Sequence, residues 1–373
     1  MDKPYLLLTP GPLTTTSSVK ASMLTDWCTW DTEYKEIVQE IRAALLRLAG
    51  ASPEDYTAVP MQGSGTFGVE AAVGTAVPED GRLLILANGA YGQRIGEIAD
   101  VLRISHRLLE SPPDRPTQAE ELGEALREDP SITHVALVHC ETTTGILNPL
   151  EALIEVIRRH GKISIVDAMS SFGGIPIDVQ QLGIDYLVSS ANKCIQGVPG
   201  FSFVLARTSR LEVCEGNARS LSLDLFDQWQ VMEKEQGKWR YTSPTHTVRA
   251  FRQALLELDE EGGVRRRCAR YTANQRTLVR VMRRAGFETH LPDAFHSPFI
   301  TTFNDPDLAG FTFEDFYLYL KRKGFVIYPG KLSGAKVFRI GTIGDVHIED
   351  IEELGEAAAS YTADLLSREG EQQ

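Results

Sequence analysis

Short apolar runs alternate with amphipathic stretches through the first two thirds of the chain. The runs are rich in Val, Ile and Leu, and they predict strands at 83–87, 134–138, 162–167, 184–189 and 201–206. Helical periodicity follows the first two of them, over 92–103 and 149–160. Because nearly continuous apolar strands separated by helices are typical of a parallel sheet covered on both faces, we predict an α/β domain. Ligands of such sheets lie at the carboxyl ends of the strands.

From about residue 247 the pattern changes. Two long helical stretches with many arginines, 247–260 and 264–285, lead into the apolar segment 298–303. After it, the pattern predicts a helix at 313–323, strands at 325–328 and 336–340, and a last helix from about Ile348. Strands and helices that no longer alternate regularly are typical of an α+β unit. We therefore predict a second, smaller C-terminal domain.

Composition narrows the class of protein. The 373 residues include 51 acidic and 38 basic side chains, a formal net charge of −13, and 42 % are hydrophobic. This composition excludes a disordered chain, and the acidic balance argues against a primary nucleic-acid binder, which needs a basic surface. It does not argue against a small anionic substrate, since one or two cations inside a pocket can reverse the sign locally.

Cysteine and histidine spacing gives no sign of a metal or redox centre. The five cysteines are widely spaced and form no C-x-x-C pair, so we expect reduced, mostly buried thiols. The eight histidines show no metal-ligand spacing, and no metal is expected. A proline cuts short the N-terminal run of leucines, and no apolar stretch approaches the roughly 18 residues of a membrane helix. We therefore expect no signal peptide and a cytoplasmic protein.

A glycine-rich segment, Gly63-Ser-Gly-Thr-Phe-Gly68, precedes a predicted helix over 66–77. Glycines let backbone N–H groups approach an anion, the helix N-terminus adds positive potential, and Ser64 and Thr66 add hydroxyl donors. The segment fits a phosphate site, although a plain turn with a helix cap has the same pattern. It lacks both the Gly-Lys-Ser/Thr ending of a nucleotide P-loop and the downstream acidic residue of a dinucleotide fingerprint.

Two charged residues follow strands of the predicted parallel sheet. Asp167 ends the strand 162–167, and Lys193 follows 184–189 beside a glycine-rich turn. The aspartate either caps the next turn or faces a ligand, and a lysine in such a place is usually solvated. The small neutral neighbours of Lys193 suit an amine that must be partly desolvated to act as a nucleophile. An anion cradle, a carboxylate for a pyridinium nitrogen and a lysine for a Schiff base together predict pyridoxal phosphate.

Two further residues are candidates for ligand contacts. Arg339 lies inside the apolar segment Phe338-Arg-Ile-Gly341, where its planar fork suits a carboxylate or phosphonate unless it forms a structural ion pair. Tyr91 follows a strand and is placed either to stack on an aromatic cofactor or to pack between lobes. Ser170 and Ser171 have no nearby His and no Gly-x-Ser-x-Gly elbow, which argues against serine hydrolysis.

Motifs along almost the whole chain resemble those of class-V aminotransferases of fold type I. They include Tyr5-Leu-Leu-Leu-Thr-Pro-Gly-Pro-Leu13, Cys28-Thr-Trp-Asp31, Asn88-Gly-Ala-Tyr-Gly92, Glu141-Thr-Thr-Thr-Gly145, 166–174, 189–200, 237–246 and 338–344. The segments at Cys28 and Lys193 are similar to those of family members that move the amino group of 2-aminoethylphosphonate to pyruvate. The resemblance implies that reaction, with pyridoxal 5'-phosphate as cofactor, phosphonoacetaldehyde and L-alanine as products and a ping-pong cycle.

The resemblance also implies roles at the matching positions. Lys193 would form the Schiff base with the cofactor, and Asp167 would pair with its ring nitrogen. Tyr91 would stack on the ring, at a place where many members of the wider class carry Trp. Arg339 would bind the acid group of the substrate.

The same resemblance implies contacts to the cofactor's phosphate and phenolic oxygen. Ser64, Gly65 and Thr66 would hold the phosphate, and Thr143 would lie near the phenolic oxygen. Thr242 would reach the phosphate bound by a neighbouring subunit, which implies a homodimer with shared active sites.

Taken with the change at residue 247, the resemblance divides the chain into three parts. We expect an N-terminal arm, 1–16, that joins the small lobe, a large cofactor-binding domain, 17–246, and the small domain, 247–373.

Three other interpretations fit parts of the pattern. An aminotransferase of the same class that uses serine or alanine with glyoxylate is the nearest. A cysteine desulfurase needs a nucleophilic Cys on a mobile loop of the small lobe, where Cys268 lies in an Arg-rich helical stretch instead. A catalytically silent cofactor-binding protein on this fold is the third, and the presence of Lys193, Asp167 and Arg339 argues against it.

Overall fold

The computed structural model describes residues 5–332 and 334–370. Within them the strands are β1 (Leu6–Leu7), β2 (Tyr56–Gln62), β3 (Arg82–Ala87), β4 (Ser105–Glu110), β5 (His134–Val138), β6 (Cys140–Glu141), β7 (Ile146–Leu147), β8 (Ile163–Asp167), β9 (Tyr186–Ser190), β10 (Phe201–Arg207), β11 (Ile300–Asn304), β12 (Phe325–Val326), β13 (Tyr328–Pro329) and β14 (Val337–Gly341). The α-helices are α1 (Ser17–Ala21), α2 (Thr32–Leu48), α3 (Gly65–Ala76), α4 (Ala90–Val101), α5 (Ala119–Glu128), α6 (Leu150–Arg159), α7 (Val179–Leu182), α8 (Thr208–Leu211), α9 (Leu225–Lys234), α10 (Thr245–Glu260), α11 (Gly263–Arg284), α12 (Phe313–Arg322) and α13 (Ile348–Gly370).

A seven-stranded sheet has the order β2-β10-β9-β8-β5-β3-β4. The five strands from β9 to β4 are parallel to one another, and β10 runs antiparallel to both of its neighbours. Helices cover the sheet with apolar faces; α6, for example, buries Leu150, Leu153, Ile154 and Ile157, which recur at helical spacing. The predicted α/β fold with a mostly parallel sheet is confirmed.

Two strands of this sheet lack the continuous apolar sequence that predicts a buried strand. β4 is one of the two edge strands, and its residues are exposed or half-buried, so that a His, an Arg and a Glu take the place of an apolar run. β2 is buried for six of its seven residues, but Thr57 and Pro60 interrupt its apolar sequence. Both strands therefore pair with their neighbours in the sheet through backbone contacts that no local sequence pattern predicts.

A three-stranded antiparallel sheet, β11-β14-β13, and the two-stranded parallel pair β1-β12 form a second unit with α11, α12 and α13. The sequence predicted one strand over 325–328, but the structure has two short strands there. Phe325 and Val326 pair with β1, whereas Tyr328 pairs with Arg339 in β14. An apolar run shows burial but does not show which partner strand each residue will find.

The N-terminal strand packs with the C-terminal unit. Leu6 and Leu8 belong to the same apolar cluster as Phe325 and Phe338. Helix α10, just beyond the expected boundary at 246/247, instead packs its apolar face into the core of the seven-stranded sheet. The division into 1–16, 17–246 and 247–373 stays a prediction, and its outermost residues, 1–4 and 371–373, lie outside the described part of the chain.

Candidate active site

A cavity of about 230 Å³ opens where β8 and β9 end and α3 begins. Parallel strands end on the same edge of a sheet, so polar side chains distant in sequence meet there. Six of the residues singled out from the sequence line this cavity: Ser64, Gly65, Thr66, Tyr91, Asp167 and Lys193. Further polar side chains line it as well, those of Arg94, Thr142, Ser170, Ser190 and Asn192.

Lys193 lies three residues beyond the end of β9, and its Nζ donates a hydrogen bond to the Pro10 carbonyl oxygen over 2.7 Å. Burial lowers the pKa of this amine from its ordinary value. The N-terminal segment closes over the side chain, because a Cβ added at Gly11 would lie 2.8 Å from the Lys193 Nζ. An amine with a lowered pKa is available in its neutral, nucleophilic form at a pH where a surface lysine is protonated.

Asp167 is the last residue of β8 and is 7 % exposed. Burial raises the pKa of its carboxyl from 3.8 to about 6, an effect that the Met169 N–H donor opposes with a 2.9 Å hydrogen bond. The charge of Glu141 raises this pKa further, while Lys193 lowers it. Because this carboxylate is costly to desolvate, a cation placed against it stabilises its charge more than it would stabilise the charge of an exposed carboxylate.

Helix α3 begins at Gly65 directly beside Asp167 and Met169. Ser64 is its N-cap residue, and the backbone N–H groups of the first turn, including those of Gly65 and Thr66, have no acceptor four residues back. A Cβ at Gly65 would collide with the end of the Met169 side chain, which would have to move to make room for it. Free N–H groups and two hydroxyls at a helix N-terminus make an anion site without a formal cation.

Tyr91 lies in the first turn of α4 and forms one wall of the cavity. The Arg94 Cζ lies 5.2 Å from the centroid of its ring, and the Lys331 Nζ lies 4.5 Å from it. Thr143 is buried, and its Oγ1 accepts a hydrogen bond from the Ala90 N–H over 3.2 Å. The chain following β5 thus supports the start of α4, where Tyr91 is placed.

Glu141, for which no role is predicted from the sequence, is fully buried. Its carboxylate accepts the backbone N–H of Tyr91 over 3.1 Å, that of Gly92 over 3.4 Å and that of Thr143 over 3.0 Å. The side chain therefore acts as an N-cap for α4 from a segment about 50 residues away in the sequence. Burial raises the pKa of Glu141, and these hydrogen bonds lower it.

Arg339 lies in the middle of β14 and is 5 % exposed. Its Nε donates to the Pro329 carbonyl oxygen over 3.0 Å and its Nη1 to the Thr142 carbonyl oxygen over 2.9 Å. Burial lowers the pKa of the guanidinium, and no carboxylate pairs with it within the described residues. Since Thr142 lines the cavity, Arg339 stands directly behind its wall.

The predicted residues thus divide into three groups. Those that line the cavity are Ser64, Gly65, Thr66, Tyr91, Asp167 and Lys193. Thr143 and Arg339 stand immediately behind its wall. Thr242 is exposed and lies outside the residues that line the cavity.

The geometry can be compared with known proteins. The model of the aminotransferase class-V family matches residues 18–354. The chain belongs to the class-V aminotransferases. A 2-aminoethylphosphonate–pyruvate transaminase from Vibrio vulnificus is 58 % identical over 355 residues, 95 % of this chain and 96 % of that protein. One of the same name from Bacillus cytotoxicus is 59 % identical over 352 residues, 94 % of this chain and 96 % of that one.

A solved structure agrees in fold. Alanine–glyoxylate aminotransferase from Nostoc sp. superimposes with a TM-score of 0.86 at 26 % identity, covering 95 % of this chain and 94 % of that one. Among the described residues no helix is both long and apolar enough to cross a bilayer, and no group of three or more His, Cys, Asp or Glu could hold a metal ion.

Pyridoxal 5'-phosphate is the cofactor of this family, and the cavity fits it. The Ser190 Oγ is buried with no hydrogen-bond partner in the described part of the chain, and Ser190 lines the cavity. The N-terminus of α3 offers free N–H groups, and a buried carboxylate and a desolvated lysine line the same cavity. These are the donors, the counter-charge and the amine that a phosphorylated pyridine aldehyde requires.

Proposed function

We propose that this aminotransferase transfers the amino group of 2-aminoethylphosphonate to pyruvate and releases phosphonoacetaldehyde and L-alanine. The observation that carries the proposal is the 58 % identity, over 95 % of the chain, to a transaminase of that name, across a range that includes the whole cavity.

Lys193 carries the proton in this proposal. When bound, the cofactor takes up the amino group of the donor, stabilises the negative charge that develops on the neighbouring carbon and passes the group to the acceptor. The Lys193 Nζ, whose burial lowers its pKa, is the base that removes the proton from the carbon bearing the donor's nitrogen. Its hydrogen bond to the Pro10 carbonyl oxygen holds the amine at the cavity wall.

Asp167 holds the positive charge of the cofactor ring. The buried carboxyl of Asp167 lines the cavity, and burial makes an unpaired charge there costly. A protonated ring nitrogen against it offsets that cost, and the same ion pair keeps the nitrogen protonated. Tyr91 covers the ring, and Thr143 stands near its phenolic oxygen.

The phosphate end is held by neutral donors. Ser64, Gly65 and Thr66 supply N–H groups and hydroxyls at the start of α3, where the helix dipole favours an anion. Arg339 binds the acid group of the substrate at the opposite side. Because donor and acceptor occupy the site in turn, one cation serves the phosphonate and then the carboxylate.

The proposal includes a homodimer in the cytoplasm with Thr242 serving the partner's site. Thr242 is exposed, and the adjacent Tyr241 lines a surface groove together with Phe67, which follows Thr66 in α3. Both aromatic side chains are about half exposed, 47 % and 50 %. Large apolar side chains left open beside the phosphate end of the cavity are typical of a subunit interface.

The test is a comparison of amino donors and acceptors on the purified, cofactor-loaded protein. We expect alanine to form from pyruvate with 2-aminoethylphosphonate at a kcat/KM at least about 100-fold above that with serine. A preference for alanine with glyoxylate would instead support the activity named for the Nostoc structure, and a preference for serine with glyoxylate would support another activity of the same class. Turnover with neither donor pair would contradict both.

A further inference from the structure

Arg339 by itself is an incomplete partner for a phosphonate. Two of its five N–H donors are spent on the carbonyl oxygens of Pro329 and Thr142, which leaves the Nη2 end free in the described structure. That end matches the two oxygens and single charge of a carboxylate. A phosphonate has three oxygens and, like a phosphate ester, approaches two negative charges near neutral pH.

A second cation reaches the same wall. Lys331 follows β13, whose Tyr328 pairs with Arg339, so the turn that carries Lys331 leaves the strand beside that arginine. The Lys331 Nζ lies 4.5 Å from the ring centroid of Tyr91, which lines the cavity. Tyr91 opposes the lowering of the pKa of Arg339 and Lys193 by burial, so its ring neighbours both of these cations as well as Lys331 and Arg94.

Lys331 has no acidic partner within the described residues, and its side chain is exposed. Because the ammonium is exposed to water, its contact with the face of the half-buried Tyr91 ring is weak, and the four-carbon stem lets the ammonium move from the ring to a nearby oxyanion. Arg94, a further cation against the Tyr91 ring, lies near Asp167, and its charge lowers the pKa of that carboxyl.

We propose that Lys331 binds the phosphonate together with Arg339 and makes the site favour a phosphonate over a carboxylate donor. This inference rests on the proposed function. In the pyruvate half of the cycle Arg339 alone neutralises the single charge, and Lys331 returns to the Tyr91 ring. Lys331 is therefore a specificity residue, needed in one half of the cycle and dispensable in the other.

Ping-pong kinetics separate the two halves, because kcat/KM for each substrate reports only the half-reaction that the substrate enters. We expect Lys331→Met to lower kcat/KM for 2-aminoethylphosphonate by about 10- to 100-fold, the loss of one charge-assisted hydrogen bond, and to change that for pyruvate less than about 3-fold. Lys331→Arg keeps most of the activity towards the phosphonate.

Lys323→Met is the matched control. Lys323 belongs to the same unit, and its Nζ lies 5.8 Å from the Tyr319 ring, so the variant removes the same charge and the same type of contact. It should leave both kcat/KM values unchanged. Equal losses for both substrates in Lys331→Met, or no loss for either, overturn the inference while leaving the proposed function intact. A wild-type protein that does not convert 2-aminoethylphosphonate overturns both.

Discussion

Asp167 and Lys193, at the ends of β8 and β9, are enclosed by the protein, whereas Lys331 and Thr242 are exposed to solvent. We call the first pair the floor of the cavity and the second pair its outer residues. Burial shifts the pKa of both floor residues, because a low dielectric penalises each charge until it finds a partner. Water screens the charge of Lys331 and competes for hydrogen bonds with the hydroxyl of Thr242.

This difference in burial implies different roles for the floor residues and the outer residues. Groups on the floor can hold and move protons, since their pKa values are displaced towards the working pH. Outer residues can recognise charge and shape, but each contact there is worth less. Substitutions on the floor should therefore cost far more activity than those of the outer residues.

The largest effect should come from Lys193→Ala. Removing the amine removes the base to which we assign the proton transfer, and we expect turnover to fall by about 10⁴-fold or more. Loss of the cofactor's lysine-linked absorbance band would accompany it. Lys162→Ala is the control, because the Lys162 Nζ also donates to a proline carbonyl oxygen, that of Pro130 over 3.0 Å, but on the surface. Comparable turnover in the two variants would contradict the role of the floor lysine.

Asp167→Asn should be the next most severe change. The amide cannot hold a positive ring nitrogen, and we expect kcat to fall by about 10²- to 10³-fold. The absorbance of the cofactor should report loss of the ring proton. An activity that is within a few-fold of wild type would show that another group holds the ring charge.

The same variant should stabilise the cofactor-free protein. Burial raises the pKa of Asp167 from 3.8 to about 6, so the folded state binds this proton more tightly than the unfolded state does. Stability from this group therefore falls as pH rises from about 4 to 6. Above pH 6, Asp167→Asn should raise the free energy of unfolding by up to about 3 kcal/mol, and at pH 4.5 by only about 1 kcal/mol. Urea denaturation at pH 4.5 and 7.5 measures the difference.

The floor was also the part of the site that the sequence predicted most completely. Asp167 and Lys193 follow apolar strands, and a polar residue after a buried parallel strand is a local signal with a direct consequence for position. Glu141 also follows a predicted strand, 134–138, after two intervening residues, but its hydrogen-bond partners are the N–H groups of a helix about 50 residues earlier. No local pattern links those two segments.

The fold shows the same limit. Apolar runs predicted the central strands, whereas β2 and the edge strand β4 carry polar residues or proline and were not predicted. The segment 325–328 was predicted as one strand and serves two sheets, because pairing depends on partners distant in sequence. Lys331 was missed for this reason too, since only the pairing of Tyr328 with Arg339 brings its turn to the cavity.

A moderate effect should come from Glu141→Gln, which tests whether the Glu141 carboxylate positions the start of α4 and with it Tyr91. The amide keeps the shape but loses the charge, and its NH₂ group faces backbone donors on one side. We expect α4 to shift at Tyr91 and cofactor affinity to fall about 10-fold, with kcat reduced less. Glu97→Gln, on the exposed face of the same helix, should change neither. An unchanged affinity in Glu141→Gln would show that Tyr91 is positioned without it.

The smallest effect should come from Thr242→Ala, an outer residue that offers one hydroxyl. Loss of one hydrogen bond to a phosphate should weaken cofactor binding about 3- to 10-fold and leave kcat at saturating cofactor unchanged. Mixed dimers of Thr242→Ala with Lys193→Ala subunits decide which site the hydroxyl serves. If it serves the partner, the site that keeps Lys193 receives an intact Thr242 and binds the cofactor with wild-type affinity. If it serves its own subunit, that site keeps the weakened affinity, and the shared active site is wrong.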